Sequence, residues 1–210
     1  MSLAQALTAG LSALGLDLSA AQQQRLLDYV ALIAKWNRVY NLTAVREPEA
    51  MITQHLLDSL TVLPHLQEVE RLIDIGSGAG LPGIPLAIAR PDWQISLLDS
   101  NHKKATFLRQ ACLELGLANA EVLCERVEHY QPKPGYQAVI SRAFSDLGEF
   151  ARLSAHLLAK GGKLYAMKGI YPHEELGKLP QAVKLQQIIP LQVPGMDANR
   201  HLVILRVEEE

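Results

Sequence analysis

A glycine-rich turn between a short apolar run and a helical segment is the feature that most constrains the fold of this chain. Residues 72–80 read Leu-Ile-Asp-Ile-Gly-Ser-Gly-Ala-Gly, and a helix is expected directly after them. Parallel sheets bind ligands at this place, where the carboxyl end of a strand meets a glycine turn. Glycine there permits positive φ and lets a ligand approach the backbone. The segment predicts an α/β fold with a nucleotide-like cofactor; a purely structural turn is the alternative.

Short apolar runs alternate with helical segments from residue 71 to residue 168. This pattern predicts parallel strands that are joined by crossover helices. We expect strands at 71–75, 94–99, 120–124, 136–141 and 163–168, and helices at about 83–90, 102–115 and 146–158, with Gly116 and the Gly161–Gly162 pair ending the last two. The apolar runs at 183–193 and 201–207 leave no room for a helix between them, so an antiparallel pair is expected to close the sheet.

The first seventy residues carry helical patterns. One apolar stripe ends near Gly15, a second helix is expected from Ser19 to Trp36, and a polar connection follows over 37–46. A third helix is expected from Pro48 until Pro64 stops it. We therefore predict one compact unit, in which a helical N-terminal extension (1–69) packs on a Rossmann-like domain (70–210).

Two details of the glycine turn favour S-adenosylmethionine over a dinucleotide. Leu81 stands where the third small residue of the GxGxxG fingerprint would be, and Pro82 and Pro85 remove backbone donors that a pyrophosphate needs. An NAD-dependent oxidoreductase is disfavoured for the same reasons. We assign the fixing of S-adenosylmethionine to the residues of the turn, which are Gly76, Ser77, Gly78 and Gly80.

Two acidic residues end the first two predicted strands. Asp99 has the spacing from the turn at which a carboxylate accepts hydrogen bonds from ribose hydroxyls; its alternative role is the N-cap of the helix that begins near His102. Asp74 is predicted to orient the turn or to meet the cationic methionine end of the cofactor. The alternative for Asp74 is a buried carboxylate that caps local N–H groups.

Four further residues follow the later strands. Val127 and Glu128 are expected to clamp the adenine through apolar contact and polar recognition, with solvated charge as the alternative. Arg142 follows the fourth strand and is assigned to a phosphate or a base, or to a surface ion pair. Lys168 ends the fifth strand and is assigned to a phosphate or the target base, or to a surface lysine whose stem packs on apolar neighbours.

The charge and cysteine content exclude several classes of function. The chain has 20 basic and 22 acidic residues and a net charge of -2, so a nucleic acid would have to bind to a local patch. Cys112 and Cys124 have no metal-ligand spacing, which argues against a metal site and a disulfide framework. No basic leader or apolar run of about 20 residues is present, so we expect a cytoplasmic protein without a membrane partner.

Taken together, these residues resemble the RsmG family, also called GidB, the bacterial 16S ribosomal RNA guanine-N7 methyltransferases. The stretches that carry the resemblance are Trp36-Asn37, Tyr40–Thr43, His55–Ser59, Asp74–Gly83, Leu98–Ser100, Ile140–Ala143, Lys168-Gly169 and Arg200–Leu202. The resemblance implies a seven-stranded class I methyltransferase sheet, with S-adenosylmethionine as cofactor and S-adenosylhomocysteine as product. It also implies cofactor roles for Gly76, Leu81, Val127, Glu128 and Arg142. We also expect a monomer.

The substrate implied by the resemblance is 16S ribosomal RNA, the small subunit or an assembly intermediate. Guanine N7 has a lone pair and no proton, so direct in-line attack on the methyl group requires positioning rather than a general base. We predict catalytic roles for Arg142 and Lys168, and RNA contacts from the scattered cations Lys35, Arg38, Arg46 and Arg200. The alternatives are a methyltransferase for a small molecule or a protein, and a non-catalytic ribosome-associated module.

Overall fold

A seven-stranded mixed sheet forms the centre of the structure, a computed structural model that describes residues 1–142, 144 and 146–208. Ala143, which belongs to one of the resembling stretches, lies outside the described residues. The strands are β1 (Arg71–Ile75), β2 (Gln94–Leu98), β3 (Ala120–Leu123), β4 (Tyr136–Ser141), β5 (Leu158–Lys168), β6 (Val183–Leu191) and β7 (Arg200–Val207).

The strand order is β3-β2-β1-β4-β5-β7-β6. The first five strands in this order are parallel, whereas β7 is antiparallel to both β5 and β6. The predicted α/β sheet with an antiparallel C-terminal pair is confirmed.

The central strand β1 is apolar because both faces of the sheet are covered. Leu72 belongs to the core that α5 (Gly83–Ala89), α6 (His102–Glu114) and the N-terminal helices share, while Ile73 belongs to the core on the opposite face with α7 (Leu147–Ser154). Successive side chains of a strand point to opposite faces, so one five-residue strand supplies both cores. Because β1, β2 and β4 are parallel, their carboxyl ends lie at the same edge of the sheet.

The predicted end of the helix before β5 was wrong. The Gly161–Gly162 pair lies inside β5, and α7 ends at Ser154, followed by a 3₁₀ turn over Ala155–Leu157. A Cβ at Gly162 would stand 2.6 Å from the carbonyl oxygen of Tyr136, so glycine is required where β4 and β5 approach closely. Gly116, in contrast, ends α6 with a φ of 63° as expected.

The N-terminal region is helical, with α1 (Leu3–Ala13) and α2 (Ala20–Tyr40) first. Ser19 caps α2 as predicted. The polar connection is expected to begin at residue 37, but the helix continues for four residues beyond its predicted end at Trp36. Asn37 is buried because its side-chain amide donates to the carbonyl oxygen of Thr43 at 2.9 Å and accepts from the N–H of Thr43 at 2.9 Å. The helix ends at Tyr40, and its C-cap, Asn41, has a φ of 48°.

The third predicted helix is divided into α3 (Pro48–Met51), a π-helical stretch (Ile52–Leu57) and α4 (Asp58–Leu60), with a 3₁₀ turn (Leu63–His65) after it. A short helix that the sequence did not suggest, α8 (His173–Leu176), follows β5. Within the part of the chain that the structure describes, no helix combines the length and apolarity needed to cross a bilayer.

The N-terminal helices contact the glycine turn directly. The buried Tyr29 hydroxyl donates to the carbonyl oxygen of Ala79 at 2.5 Å, and the Gln22 side chain donates to the carbonyl oxygens of Ile88 and Ala89 at the end of α5. Packing of α2 against α5 and α6 therefore fixes one side of the turn. The division of the chain at residues 69 and 70 stays a prediction.

Candidate functional site

The glycine turn connects β1 to α5 and is anchored on β2. Gly76 and Ser77 donate their N–H groups to the carbonyl oxygen of Leu98 at 2.8 and 3.1 Å. Gly76, Gly78 and Gly80 all have positive φ, at 67°, 60° and 92°. A Cβ on Gly76 would meet no atom within 4 Å, so this residue faces open space. On Gly80 a Cβ would lie 2.5 Å from Ile84, so Gly80 serves packing as well.

Asp74 lies under the turn and is completely buried. Its Oδ2 accepts a hydrogen bond from the N–H of Gly83 at 3.0 Å, whereas no partner for Oδ1 is found among the described residues. Burial raises the pKa of Asp74 to about 7. A buried carboxylate oxygen without a donor favours an ammonium group or another donor beside it. The structure shows the alternative predicted for Asp74, a buried carboxylate that caps a local N–H group, and a contact with the cationic methionine end of the cofactor stays a prediction.

Asp99 joins the turn from the end of β2. Its Oδ2 accepts from the N–H of Gly78 at 2.9 Å, and its Oδ1 accepts from the N–H of Asn101 at 2.8 Å. The alternative role as N-cap of α6 is wrong, since Asn101 caps that helix with bonds from Lys103 and Lys104. Each carboxylate oxygen has two lone pairs, so Asp99 keeps acceptor capacity for ribose hydroxyls.

A cleft beside the turn gathers several predicted cofactor residues; we call it the glycine-loop cleft. It is lined by Ile75, Gly76, Leu98, Asp99, Ser100, Glu125, Arg126, Val127, Glu128, Phe144, Glu149 and Leu153. The structure thus places Gly76 of the turn, the expected ribose acceptor and the expected adenine clamp around one space, whereas Ser77, Gly78 and Gly80 do not line it. The side chain of Leu81 is buried in the core behind the turn, so its predicted cofactor role would involve its backbone.

The cleft, the open face of Gly76 and the unpartnered oxygen of Asp74 fit the expected cofactor. The apolar Val127 suits a purine ring, the carboxylate of Asp99 suits a ribose, and Asp74 suits the cationic end of a methionine moiety. No group of three metal-ligating side chains occurs among the described residues.

A second cleft, which we call the arginine cleft, lies where the N-terminal helices meet the ends of β4, β5 and β7. Its lining residues are Thr43, Val45, Gln54, His55, Asp58, Arg142, Met167, Lys168, Gly169 and Arg200. Both predicted catalytic residues, Arg142 and Lys168, and one predicted RNA contact, Arg200, are therefore brought together. The other three predicted RNA contacts, Lys35, Arg38 and Arg46, lie outside both clefts.

Arg142 is held by the N-terminal helices. Its Nη1 donates to the carbonyl oxygen of Gln54 at 2.9 Å and to Oδ2 of Asp58 at 3.2 Å. The other oxygen of Asp58 accepts from Nε of Arg200 at 3.1 Å. Burial raises the pKa of Asp58, and the charges of the two arginines oppose this effect. Sequence reasoning missed Asp58 as a site residue; the available signal was an acidic residue directly after Leu56 and Leu57 in a predicted helix.

The positive charge of Lys168 is paired with a carboxylate of the protein. Its Nζ donates to Oε2 of Glu175 at 2.7 Å and to the carbonyl oxygen of Phe144 at 3.3 Å. Glu175 also accepts from the N–H of Leu147 at 2.7 Å, which ties α8 to α7. The catalytic assignment of Lys168 stays a prediction.

His55 is the imidazole that lines the arginine cleft. Its Nε2 lies 2.9 Å from the hydroxyl of Thr43, and burial together with the nearby charge of Arg142 lowers the pKa of His55 to about 4. His55 is therefore uncharged at neutral pH and a weak base. The chemistry of the cleft at neutral pH consequently depends on arginine, lysine and carboxylate groups.

Comparisons with known proteins identify relatives over almost the whole chain. A family model, GidB, described as rRNA small subunit methyltransferase G, matches residues 22–203. The protein called ribosomal RNA small subunit methyltransferase G in Laribacter hongkongensis is 58% identical over 205 residues, which cover 98% of this chain and 99% of the relative. The protein of that name in Neisseria meningitidis serogroup B is 54% identical over 199 residues, covering 95% and 96%.

Solved structures share the fold at much lower identity. The O-methyltransferase TomG from Streptomyces achromogenes, determined in complex with SAM, matches with a TM-score of 0.61 at 16% identity and covers 100% of both chains. A SAM-dependent methyltransferase from Aquifex aeolicus matches with a TM-score of 0.57 at 18% identity, covering 72% of this chain and 91% of the other. These likenesses support the methyltransferase fold.

Proposed function

Because this chain belongs to the rRNA small subunit methyltransferase G family, we propose that it transfers the methyl group of S-adenosylmethionine to N7 of a guanine in 16S ribosomal RNA. The observation that carries the proposal is the position of Arg142 at the carboxyl end of β4, in a cationic cleft close to Asp74 and the glycine turn. One edge of the sheet thereby offers a cofactor cleft and a substrate cleft side by side.

The residues of the glycine-loop cleft supply the binding of the cofactor. Asp99 is positioned to accept from ribose hydroxyls and Val127 to pack on the adenine. Asp74 lies buried beneath the turn rather than in the cleft lining, and we assign its Oδ1, which has no donor among the described residues, to the ammonium group. When bound, S-adenosylmethionine supplies an electrophilic methyl group on a cationic sulfur. Gly76 leaves the space for the ligand because it has no Cβ.

The residues of the arginine cleft supply the positioning of the RNA. Guanine N7 requires no deprotonation, which agrees with the low basicity of His55. Arg142 has N–H groups that suit O6 of the guanine or a nearby phosphate, and it is fixed by Gln54 and Asp58 before substrate binds. Alignment of the base therefore accounts for the catalytic contribution that we assign to this chain.

The test is incubation of the pure protein and labelled S-adenosylmethionine with small subunits, and separately with protein-free 16S RNA, from a strain that lacks this methylation. Label in 7-methylguanosine at one position supports the proposal. Arg142→Ala is expected to lose most of the turnover, whereas Arg90→Ala, which removes an exposed arginine paired with Asp92 outside both clefts, is the matched control. Cofactor binding without labelled RNA would favour a small-molecule or protein substrate, and absence of cofactor binding would favour the non-catalytic module.

A further inference from the structure

Two guanidinium groups in the arginine cleft share one buried carboxylate. The Asp58 side chain is 4% exposed, and each of its oxygens binds a different arginine, with Oδ2 at 3.2 Å from Arg142 Nη1 and Oδ1 at 3.1 Å from Arg200 Nε. The three residues come from α4, the end of β4 and the start of β7. Because Asp58 uses one oxygen for each arginine, it fixes the distance between the two guanidinium groups.

The arginine cleft keeps one net positive charge. Asp58 balances one of the two arginines, Lys168 is paired with Glu175, and His55 is uncharged. The guanidinium groups remain accessible, since the Arg142 and Arg200 side chains are 24% and 28% exposed. Among the described residues, neither arginine has a protein acceptor at Nη2. Two accessible guanidinium groups with a surplus charge make a site for one anion.

On the basis of the proposed function, we propose that the arginine cleft binds a phosphate group of the RNA substrate, at or next to the target guanine, and that Asp58 is a positioning residue that acts through Arg142 and Arg200. Phosphate contacts fix the register of a nucleic acid on a protein and carry no sequence information themselves. Such a contact beside the glycine-loop cleft would place the guanine at the methyl group. The carboxylate of the cofactor is the competing anion, and the test separates the two.

Asp58→Asn is the first variant, because it keeps the shape of the side chain and removes its charge. Arg200→Gln is the second, because Arg200 lies at the start of an edge-proximal strand and is partly exposed. Asp92→Asn is the matched control, since Asp92 forms an exposed pair with Arg90 at 2.6 Å outside both clefts. Each protein is tested for KM toward unmethylated small subunits, KM toward S-adenosylmethionine, kcat, unfolding temperature, and affinity for S-adenosylhomocysteine by calorimetry.

We expect Asp58→Asn and Arg200→Gln to raise the KM for the subunits about tenfold or more, the size of one lost charge-assisted contact. Affinity for S-adenosylhomocysteine should stay within about twofold of the unsubstituted protein. In Arg200→Gln, which removes one of the cations, the slope of log affinity for RNA against log salt should become shallower by about 0.7–0.9, the share of one phosphate contact. A residue that only supports folding would leave this slope unchanged.

The double variant measures whether Asp58 acts through Arg200. Its KM increase should be smaller than the product of the two single increases, because the two substitutions remove part of the same interaction. Unchanged subunit KM in Arg200→Gln would overturn the inference even if Asp58→Asn failed to fold. Loss of S-adenosylhomocysteine affinity with unchanged subunit KM would assign the arginines to the cofactor instead. Failure of the proposed function is distinct, because the unsubstituted protein would then methylate no RNA.

Discussion

Replacement of Gly76 by alanine separates the cost of backbone strain from the cost of blocking the glycine-loop cleft. Gly76 has a φ of 67°, and Gly116 at the end of α6 has a φ of 63°. A Cβ at either position would meet no atom within 4 Å. A left-handed conformation costs a non-glycine residue roughly 1–2 kcal/mol. For a protein of this size that cost lowers the unfolding temperature by about 2–8 °C, so we expect Gly76→Ala and Gly116→Ala to be destabilised about equally.

The two variants should differ in cofactor binding. Gly76 lines the glycine-loop cleft, so its new methyl group would occupy space that the cofactor needs, whereas Gly116 does not line that cleft. We expect Gly76→Ala to lose at least about tenfold in affinity for S-adenosylhomocysteine, which corresponds to roughly 1.4 kcal/mol. Calorimetric titration and thermal unfolding of both variants provide the two measurements. Equal affinity in the two folded variants would refute the placement of the cofactor against residue 76.

Three further predictions concern the surroundings of the turn. Tyr29→Phe leaves the buried carbonyl of Ala79 without its donor, so thermal unfolding should show a loss of about 1–3 kcal/mol and calorimetry a weaker S-adenosylhomocysteine complex. Gly83→Ala puts a Cβ onto Leu97 and 2.8 Å from Oδ2 of Asp74, and denaturant unfolding should report a destabilisation of roughly 1–3 kcal/mol. The pKa of Asp74 is raised from 3.8 to about 7, so between these pH values the folded protein retains a proton that the unfolded chain has released, and stability should fall as the pH rises. An ammonium group beside Asp74 favours the ionised carboxylate, so the affinity for S-adenosylhomocysteine should rise roughly tenfold from pH 6 to pH 8. The ligand ionises identically in a titration of Asp74→Asn, and that variant should not show the tenfold rise in affinity.

The glycine turn and the strands around it could be predicted because their signals are local. A buried parallel strand is a short apolar run, and a turn that requires positive φ requires glycine, so the residue types alone identify Gly76 and Gly78. Asp99 is identified by its spacing from the turn, and its bond to Gly78 at 2.9 Å confirms that the two are neighbours. These features are fixed within about 30 residues of sequence, the length in which the strand, the turn, the helix and the next strand of a βαβ unit follow one another.

Features that depend on contacts between distant segments could not be predicted in this way. The Gly161–Gly162 pair is typical of the end of a helix, but the close approach of Tyr136 on a neighbouring strand is what requires Gly162. Asn37 is typical of the start of a polar connection, yet its bonds to Thr43 allow it to be buried. A polar residue or a glycine can have several structural roles, and the residues that contact it in the fold determine which role it has.

Asp58 is the most informative case, because it changes how the charge of the chain should be interpreted. A net charge of -2 predicts that RNA requires a local patch, and the scattered cations do not indicate where one forms. The structure brings Arg142 and Arg200 to one carboxylate that lies 84 and 142 positions before them in the chain, and the surplus in this cleft is a single charge. A cleft with one surplus charge contributes little to the non-specific attraction of RNA, because each phosphate contact adds only a small, fixed amount to the salt dependence of binding. Its main contribution would be to align the substrate. Selectivity in this cleft would come from its geometry. The buried Asp58 would not touch the RNA itself, but it fixes Arg142 and Arg200 in place, and it is therefore expected to affect the KM for the subunits.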